Sequence, residues 1–333
     1  MFLKDIQNRV FKLNSESNDD EFNEVALAIF KYQCEHNLVY RAYILGLKVN
    51  SNDINHYSKI PFLPIEFFKT QRVVCQPPNQ HTVCFTSSGT TGQIASSHYV
   101  NDVSIYKSAF NLGFELFYGK PSNYCILALL PNYLERTGSS LVYMFDDLIK
   151  TSDHPKSGFY LNNYEELVET IDYLKKNKQK TILLGVTYAL LDLAEAGVEL
   201  TDDFIVMETG GMKGRRKEML KEELHQILKQ AFNINSIHSE YGMTELLSQA
   251  YSHQNGLFKC SPWMKVLIRD VNDPFCYVKP GKGGGVNVID LANINSCSFI
   301  ETKDLGKVHE DGNFEILGRF DNSDLRGCNL MIQ

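Results

Sequence analysis

The run Thr86–Gly92, TSSGTTG, consists only of hydroxyl-bearing residues and glycines, and it follows the apolar HTVCF. Such a run has no side-chain volume to pack a core and no charge to bind by bulk electrostatics. It offers a flexible backbone, free N–H groups and hydroxyl donors, which suit phosphate oxygens. It is not a Walker loop, because the lysine of that motif is missing. By itself it also reads as a polar surface loop. A second stretch is HSEYGMTELLSQ, residues 238–249, which places Tyr241, Gly242, Thr244 and Glu245 between a strand-like and a helix-like run. Ligands of parallel sheets collect at the carboxyl ends of strands. There an acidic side chain can hold Mg²⁺ while a hydroxyl bonds a phosphate, although Thr and Glu also start ordinary helices. The third stretch is ETKDLGKVHEDGNFEILGRFD, 301–321. Asp311-Gly312 marks a hairpin turn. Asp304 and Arg319 are not explained by that turn. A carboxylate can take both hydroxyls of a ribose, and a guanidinium can reach ribose or phosphate.

The chain that must position these residues has 333 of them, enough for a large core. It is 43% hydrophobic and 22% charged, with a formal charge of −7, which argues against a nucleic-acid partner. No apolar run is long enough to span a bilayer and the N-terminus has no signal-peptide core, so a cytoplasmic protein is expected. The eight scattered cysteines contain no C-x-x-C pair, against disulfides and structural zinc. Asp20–Leu47 has the spacing of one or two amphipathic helices. Residues 102–118 also read as a helix. NYCILALLP, KTILLGVT and FIVMETGG read as buried parallel strands between helices. Alternating strands and helices indicate an α/β fold with a mainly parallel sheet. After about residue 258 the texture changes to short β-rich runs, read as a small antiparallel or barrel-like subdomain. The expected units are 1–257, 258–322 and a tail 323–333. GKGGG, 281–285, reads as a hairpin turn rather than a phosphate loop, and KGRRK, 213–217, as a solvated helix start that would otherwise face phosphate. His238 is either a core histidine or faces a substrate carboxylate.

Taken in order, SSGTTG, YGMTE and DLG…DG…GR-x-D resemble the signatures of the adenylate-forming superfamily of acyl-CoA synthetases, adenylation domains and luciferases. Within it, IPFLPIEFFK, LALLPNYLERTGSSLVYM, ETGGMKGRRKEM and LRGCNL resemble the LuxE-type acyl-protein synthetases. The resemblance implies the large N-terminal domain of that fold. It implies ATP-dependent activation of a carboxylic acid, fatty or aryl, to an acyl-adenylate, followed by transfer to a thiol. It further implies that Thr86, Ser87, Ser88, Gly89, Thr90, Thr91 and Gly92 clasp the β- and γ-phosphates. Gly210, Gly211, Tyr241 and Gly242 would frame the adenine, Thr244 would bond the α-phosphate, Glu245 would hold Mg²⁺, and Asp304 with Arg319 would take the ribose. Asp321 falls at the family's hinge. Cys328, beside Arg326, would be the acyl acceptor; a partner protein thiol or coenzyme A is the alternative. Three departures accompany this. Gln93-Ile94-Ala95-Ser96 stands where the family carries a lysine, the pattern around the hinge is one residue short, and the small C-terminal domain with its lysine is expected to be absent. The competing expectations are a non-catalytic nucleotide- or acyl-binding relic and a stand-alone adenylation domain.

Overall fold

The computed structural model describes residues 2–87, 94–130, 138–161, 163–210 and 219–320. Three helices lead: α1 (Phe2–Lys12), α2 (Asp19–His36) and α3 (Leu38–Gly46). Asn37 explains why the long amphipathic stretch breaks in two. Its N–H closes α2 on the Gln33 carbonyl, and its side chain caps α3 by accepting from Val39 and Tyr40. Next come β1 (Leu63–Pro64), α4 (Phe67–Thr70), and a hairpin of β2 (Val83–Thr86) and β3 (Ser97–Val100). Helix α5 (Val103–Tyr118) follows, then an alternating run: β4 (Cys125–Leu129), α6 (Ser140–Ser152), β5 (Gly158–Phe159), α7 (Tyr164–Lys176), β6 (Thr181–Val186), α8 (Thr187–Glu195), β7 (Phe204–Thr209), α9 (Lys221–Phe232) and β8 (His238–Tyr241). The remainder is β: β9 (Ala250–Ser252), β10 (Lys259–Cys260), β11 (Met264–Arg269), β12 (Gly283–Asp290), β13 (Phe299–Val308) and β14 (Phe314–Arg319).

Two sheets dominate. The first has the order β10-β9-β8-β7-β6-β4-β5, parallel from β8 to β5 and antiparallel at β9 and β10. Strands β4 and β6 are buried on both faces, as their unbroken apolar sequence requires. From β4 the chain steps outward to β5 and then back past β4 to β6, so the order reverses between β4 and β6. Open α/β sheets bind ligands beyond the carboxyl ends of strands around such a reversal. The second sheet runs β1-β13-β12-β11, with β14 also on β13. It is antiparallel except where β1 pairs in parallel with β13. It is an open sheet, and no closed barrel forms among the described residues. The barrel-like expectation is corrected for a physical reason: β1 and β14 share one edge of β13, while β11 ends the other side, so the two edges never meet.

Of GKGGG, read from sequence as a hairpin turn, the three glycines 283–285 instead open β12, where they serve packing. The Arg269 side chain lies across them, and a Cβ on Gly285 would sit 2.4 Å from its guanidinium carbon. Arg269 is buried and donates to the Val286 and Thr302 carbonyls and to Asn287. It thereby ties β11 and β12 to the strand that carries Asp304.

Two buried acidic groups join β7 to β8. Burial alone would raise the Glu208 carboxyl, but the nearby Lys221 charge, then His225 and Ser239, outweigh it and hold Glu208 at about 2. Lys221 donates at 2.6 Å and the Ser239 hydroxyl at 2.7 Å. Glu240 has no cation of this kind. Burial, with the Glu208 charge adding to it, pushes Glu240 up to about 7 against the opposing hydrogen bond from Thr209 at 2.5 Å. A third buried carboxyl, Asp290 at the end of β12, accepts from Leu247 N–H (2.7 Å), Ser248 N–H (3.0 Å), Ser248 Oγ (2.5 Å) and Ala292 N–H (3.1 Å). That one side chain fastens the segment after β8 to the second sheet.

Two outcomes follow from these groups. Unfolded, Glu240 titrates near 4.5; folded, it holds its proton to about 7. Between those values the folded chain binds a proton that the unfolded chain has lost, so this group's contribution to stability falls as pH rises. Replacing Glu240 by Gln is expected to flatten the stability profile between pH 5 and 8 by on the order of 3 kcal/mol. Urea unfolding of both proteins across that range checks it, and parallel profiles would refute it. Asp290→Ala is expected to destabilise by roughly 3 kcal/mol or more, because the relief from no longer burying a carboxylate is smaller than the cost of four stranded donors. A loss below about 1 kcal/mol in the same assay would show that the joint does not bear on folding.

Candidate active site

The hydroxyl-rich run leaves the tip of the β2–β3 hairpin. Its first two residues are described. Thr86 pairs with Ser97 in the ladder and donates its N–H to the Gly138 carbonyl at 2.8 Å. Ser87 donates its N–H to the Ser96 carbonyl, and its hydroxyl accepts the Ser96 N–H at 2.9 Å. The hairpin is therefore paired as far as Ser87 and Ser96. Ser88, Gly89, Thr90, Thr91, Gly92, Gly211, Asp321, Arg326 and Cys328 lie outside the described residues, as do Gln93 and the KGRRK segment.

The second stretch sits where a sheet would present it. Tyr241 ends β8, with its ring packed against Phe258 and Phe314 at 5.8 and 5.5 Å. Its hydroxyl reaches across to the second sheet and donates to Asp304 Oδ2 at 2.8 Å. Burial, then the Asp304 charge, pushes the Tyr241 hydroxyl well above its ordinary pKa, so it stays a donor. Gly242 leaves room for Glu240: a Cβ there would stand 2.5 Å from Glu240 Oε1, and that side chain would have to shift. Gly210 follows β7 and is exposed, at a φ of 71°. Its carbonyl accepts from Thr187 Oγ1 at 3.1 Å, which links it to the start of the helix after β6. Thr244, two residues after Gly242, is half-buried.

Asp304 and Arg319 face each other as a cross-strand pair in the β13–β14 ladder. Arg319 Nε stands 3.8 Å from Asp304 Oδ1 with its side chain 68% exposed, against 17% for Asp304. The pair is loose and open to an incoming group. Burial raises the Asp304 carboxyl, and Tyr241, Arg319 and Arg269 each pull it back down.

Glu245 is buried, and burial raises its carboxyl despite the opposing influence of nearby Ser96 and the positive field of Arg319. No group of three or more His, Cys, Asp or Glu side chains forms a metal cage among the described residues. Mg²⁺ on a nucleotide does not need one, because it brings phosphate oxygens and water and takes one or two carboxylates from the protein. A single buried carboxyl beside the base of the hydroxyl loop fits that donor set.

The described residues of all three motifs thus converge. Ser87 and Ser96 lead to Glu245, and Tyr241 leads to Asp304 and Arg319. His238 does not join them. It opens β8, at the strand's opposite end, where Tyr118 Oη lies 3.2 Å from its Nδ1 and its ring lies 5.0 Å from that of His253. Burial, then His253, pushes it down to about 4, the behaviour of a core histidine. Residues not anticipated from sequence are Glu208, Lys221, Asp290, Arg269, His98 and Asn293. A legible signal existed for Asp290 alone: a carboxylate closing the apolar run GVNVID must find donors or neutralise.

No curated protein matches this chain. Among solved structures, ATP-bound MatB from Rhodopseudomonas palustris is 16% identical, with a TM-score of 0.54, over 71% of this chain and 47% of that one. This chain therefore spans about half of MatB. A 2-hydroxyisobutyryl-CoA ligase in the postadenylation state, bound to 2-HIB-AMP, is 13% identical with a TM-score of 0.71, over 93% of this chain and 69% of that one. An open conformation of that ligase with 2-HIB-AMP and CoA gives 12%, 0.69, 91% and 71%. At these identities the likeness is one of fold, that of the N-terminal domain of adenylate-forming ligases. The family model described as acyl-protein synthetase, LuxE, matches residues 5–333. The chain belongs to the LuxE acyl-protein synthetase family.

Proposed function

We propose that the protein is an AMP-forming acid–thiol ligase that activates a fatty or aryl carboxylic acid with ATP and passes the acyl group to a thiol. One observation carries this reading: Tyr241, Glu245, Asp304 and Arg319, from two sheets and distant in sequence, gather at the carboxyl end of β8 beside the base of the Thr86–Gly92 loop. The family and the fold support it.

In this reading the loop N–H groups and hydroxyls take the β- and γ-phosphates. Gly210, Gly211, Tyr241 and Gly242 form the adenine wall, Asp304 accepts from the ribose hydroxyls, and Arg319 closes over them. Glu245 is the carboxylate for Mg²⁺, which would neutralise charge on the phosphates. The Thr244 hydroxyl donates to the α-phosphate, where charge builds during attack. The substrate carboxylate oxygen attacks the α-phosphorus, the bond to the β-phosphate oxygen breaks, and pyrophosphate leaves. A thiolate then attacks the acyl carbon, AMP leaves with the bridging oxygen, and the thiol proton passes to solvent. The protein's share is orientation and exclusion of water rather than covalent chemistry on phosphorus. The acceptor is Cys328, or a thiol on a partner protein or coenzyme A. The test is acid-dependent exchange of labelled pyrophosphate into ATP over a panel of fatty and aryl acids. ATP binding without exchange for any acid would instead favour a relic that kept the nucleotide site alone.

Asp304→Ala is expected to weaken ATP binding by about 10- to 100-fold, from the loss of a charge-assisted hydrogen bond. Calorimetry reads this directly, and unchanged affinity would remove Asp304 from the ribose site. The transfer step has a separate readout. Cys328→Ser is expected to keep pyrophosphate exchange and to lose the hydroxylamine-sensitive acyl-protein adduct formed with ATP and a labelled acid. Equal labelling of both proteins would place the acceptor elsewhere.

A further inference from the structure

Thr244 and Glu245 stand in a segment with no regular secondary structure, between β8 and β9. Glu245 must nevertheless aim its carboxyl, and Thr244 its hydroxyl, to within a fraction of an ångström. Their backbone carbonyls show what holds them. His98 Nδ1 lies 2.8 Å from the Thr244 carbonyl oxygen. Asn293 Nδ2 donates to the Glu245 carbonyl at 2.8 Å and to the Cys297 carbonyl at 2.9 Å. Asn293 Oδ1 stands 3.1 Å from His98 Nε2, so the two side chains pack side by side under the same segment. Both are buried. We propose that His98 and Asn293 are positioning residues that grip the Thr244 and Glu245 carbonyls from behind and so aim the Thr244 hydroxyl and the Glu245 carboxyl into the site. This rests on the function proposed above.

Two further contacts make the grip specific to the site. Ser96 and His98 are two residues apart at the start of β3 and so share a face of the hairpin. Ser96 lies near enough to the Glu245 carboxyl to pull its pKa down while His98 holds the preceding carbonyl, so the paired end of the β2–β3 hairpin faces both side chain and backbone of one segment. From the other side, Gln33 of α2 donates to the Asn293 and Ile294 carbonyls at 3.0 Å each, which fixes the turn bearing Asn293. Burial pushes the His98 ring down to about 4, so at neutral pH it carries one proton. Both ring nitrogens face an oxygen that can only accept, Thr244 O at 2.8 Å and Asn293 Oδ1 at 3.1 Å, so one proton serves one of them, and the shorter contact assigns it to Nδ1. The grip on Thr244 therefore runs through one N–H.

That single donor gives a sharp test. An asparagine at position 98 can put its amide N–H near the place of Nδ1, whereas glutamine carries its amide out toward the place of Nε2. A merely structural histidine would be served better by glutamine, which loses less volume. A positioning histidine would be served better by asparagine. His98→Gln is expected to lower kcat for pyrophosphate exchange by about 10- to 100-fold, to raise the Mg²⁺ concentration needed for half-maximal rate, and to leave KM for ATP nearly unchanged. His98→Asn should restore most of both while melting at the lower temperature. Calorimetry of ATP with Mg²⁺ and with EDTA reads the same effect without turnover: the Mg²⁺-dependent gain in affinity should shrink in His98→Gln and return in His98→Asn. If activity and melting temperature rank the two variants in the same order, or the Mg²⁺ profile does not move, the proposal is overturned. If the unsubstituted protein neither exchanges nor binds ATP, the proposed function falls, and amide hydrogen exchange over residues 244–246 decides the grip. Faster exchange in His98→Gln than in His98→Asn supports it, and equal rates overturn it.

Discussion

The Asp290 carboxylate is buried and yet accepts from three backbone N–H groups and one hydroxyl. A carboxylate in such a place would be ruinous if left unpaired. Its four donors convert that liability into direction, because each hydrogen bond fixes a different atom. Two of the donors belong to Leu247 and Ser248, just past the Tyr241–Glu245 stretch, and Trp263 Nε1 adds a bond to the Ser248 hydroxyl at 3.0 Å. The segment after β8 is thus anchored to the end of β12 before it can approach any ligand. With that anchor in place, Tyr241 can span from the first sheet to Asp304 on the second. The anchor acts together with the Tyr241–Asp304 bond and the Phe258–Phe314 bridge, which also tie the two sheets across the site.

The acidic groups around the anchor are sorted by their surroundings. Glu208 keeps its charge because Lys221, His225 and Ser239 surround one of its oxygens. Glu240, on the neighbouring strand, is pushed the other way by burial and by the charge on Glu208. Two carboxyls this close in one apolar layer cannot both ionise cheaply, and one cation has been provided for the pair. Asp304 and Glu245 are also raised by burial, with the exposed Arg319 lowering both. Arg319 is exposed and only loosely paired, so it is free to turn toward an anion without first breaking a strong ion pair.

Much of this architecture was legible in the residue order. Continuous apolar runs ending in proline or in helix starts announced β4, β6 and β7, because strands buried on both faces have no polar alternation. The Asp311-Gly312 turn announced β13 and β14, and with them the chance that Asp304 and Arg319 would lie opposite. Barrel closure was not legible, since period-two patterns say which residues are strand and nothing about which edges meet. Strand β1 could not be read at all: Leu63 and Pro64 are a strand only because the β13 edge is there to pair with them. His98 and Asn293 were silent for the same reason. Each is unremarkable in its own segment, and their meaning arises from contacts 146 and 48 residues away along the chain.

Those distances also explain why the N-terminal helices belong to the same folding unit as the site. Gln33 uses its amide nitrogen on Asn293, Ile294 and Ser298 and its oxygen on the Ser298 N–H, while Asn37 donates to the Ser296 carbonyl. The turn from 293 to 298 has little regular structure of its own, so its backbone groups must be satisfied by side chains. Helix α2 supplies them from one side and the Asn293 side chain from the other. Helix α2 thereby bears on the position of the Glu245 backbone through a chain of buried amides, Gln33 to the Asn293 carbonyl and the Asn293 side chain to the Glu245 carbonyl. Loss of any one amide leaves a buried carbonyl unpaired at a cost of about 1–3 kcal/mol. The cheapest relaxation is movement of the turn, which displaces Asn293 and the Glu245 carbonyl it holds.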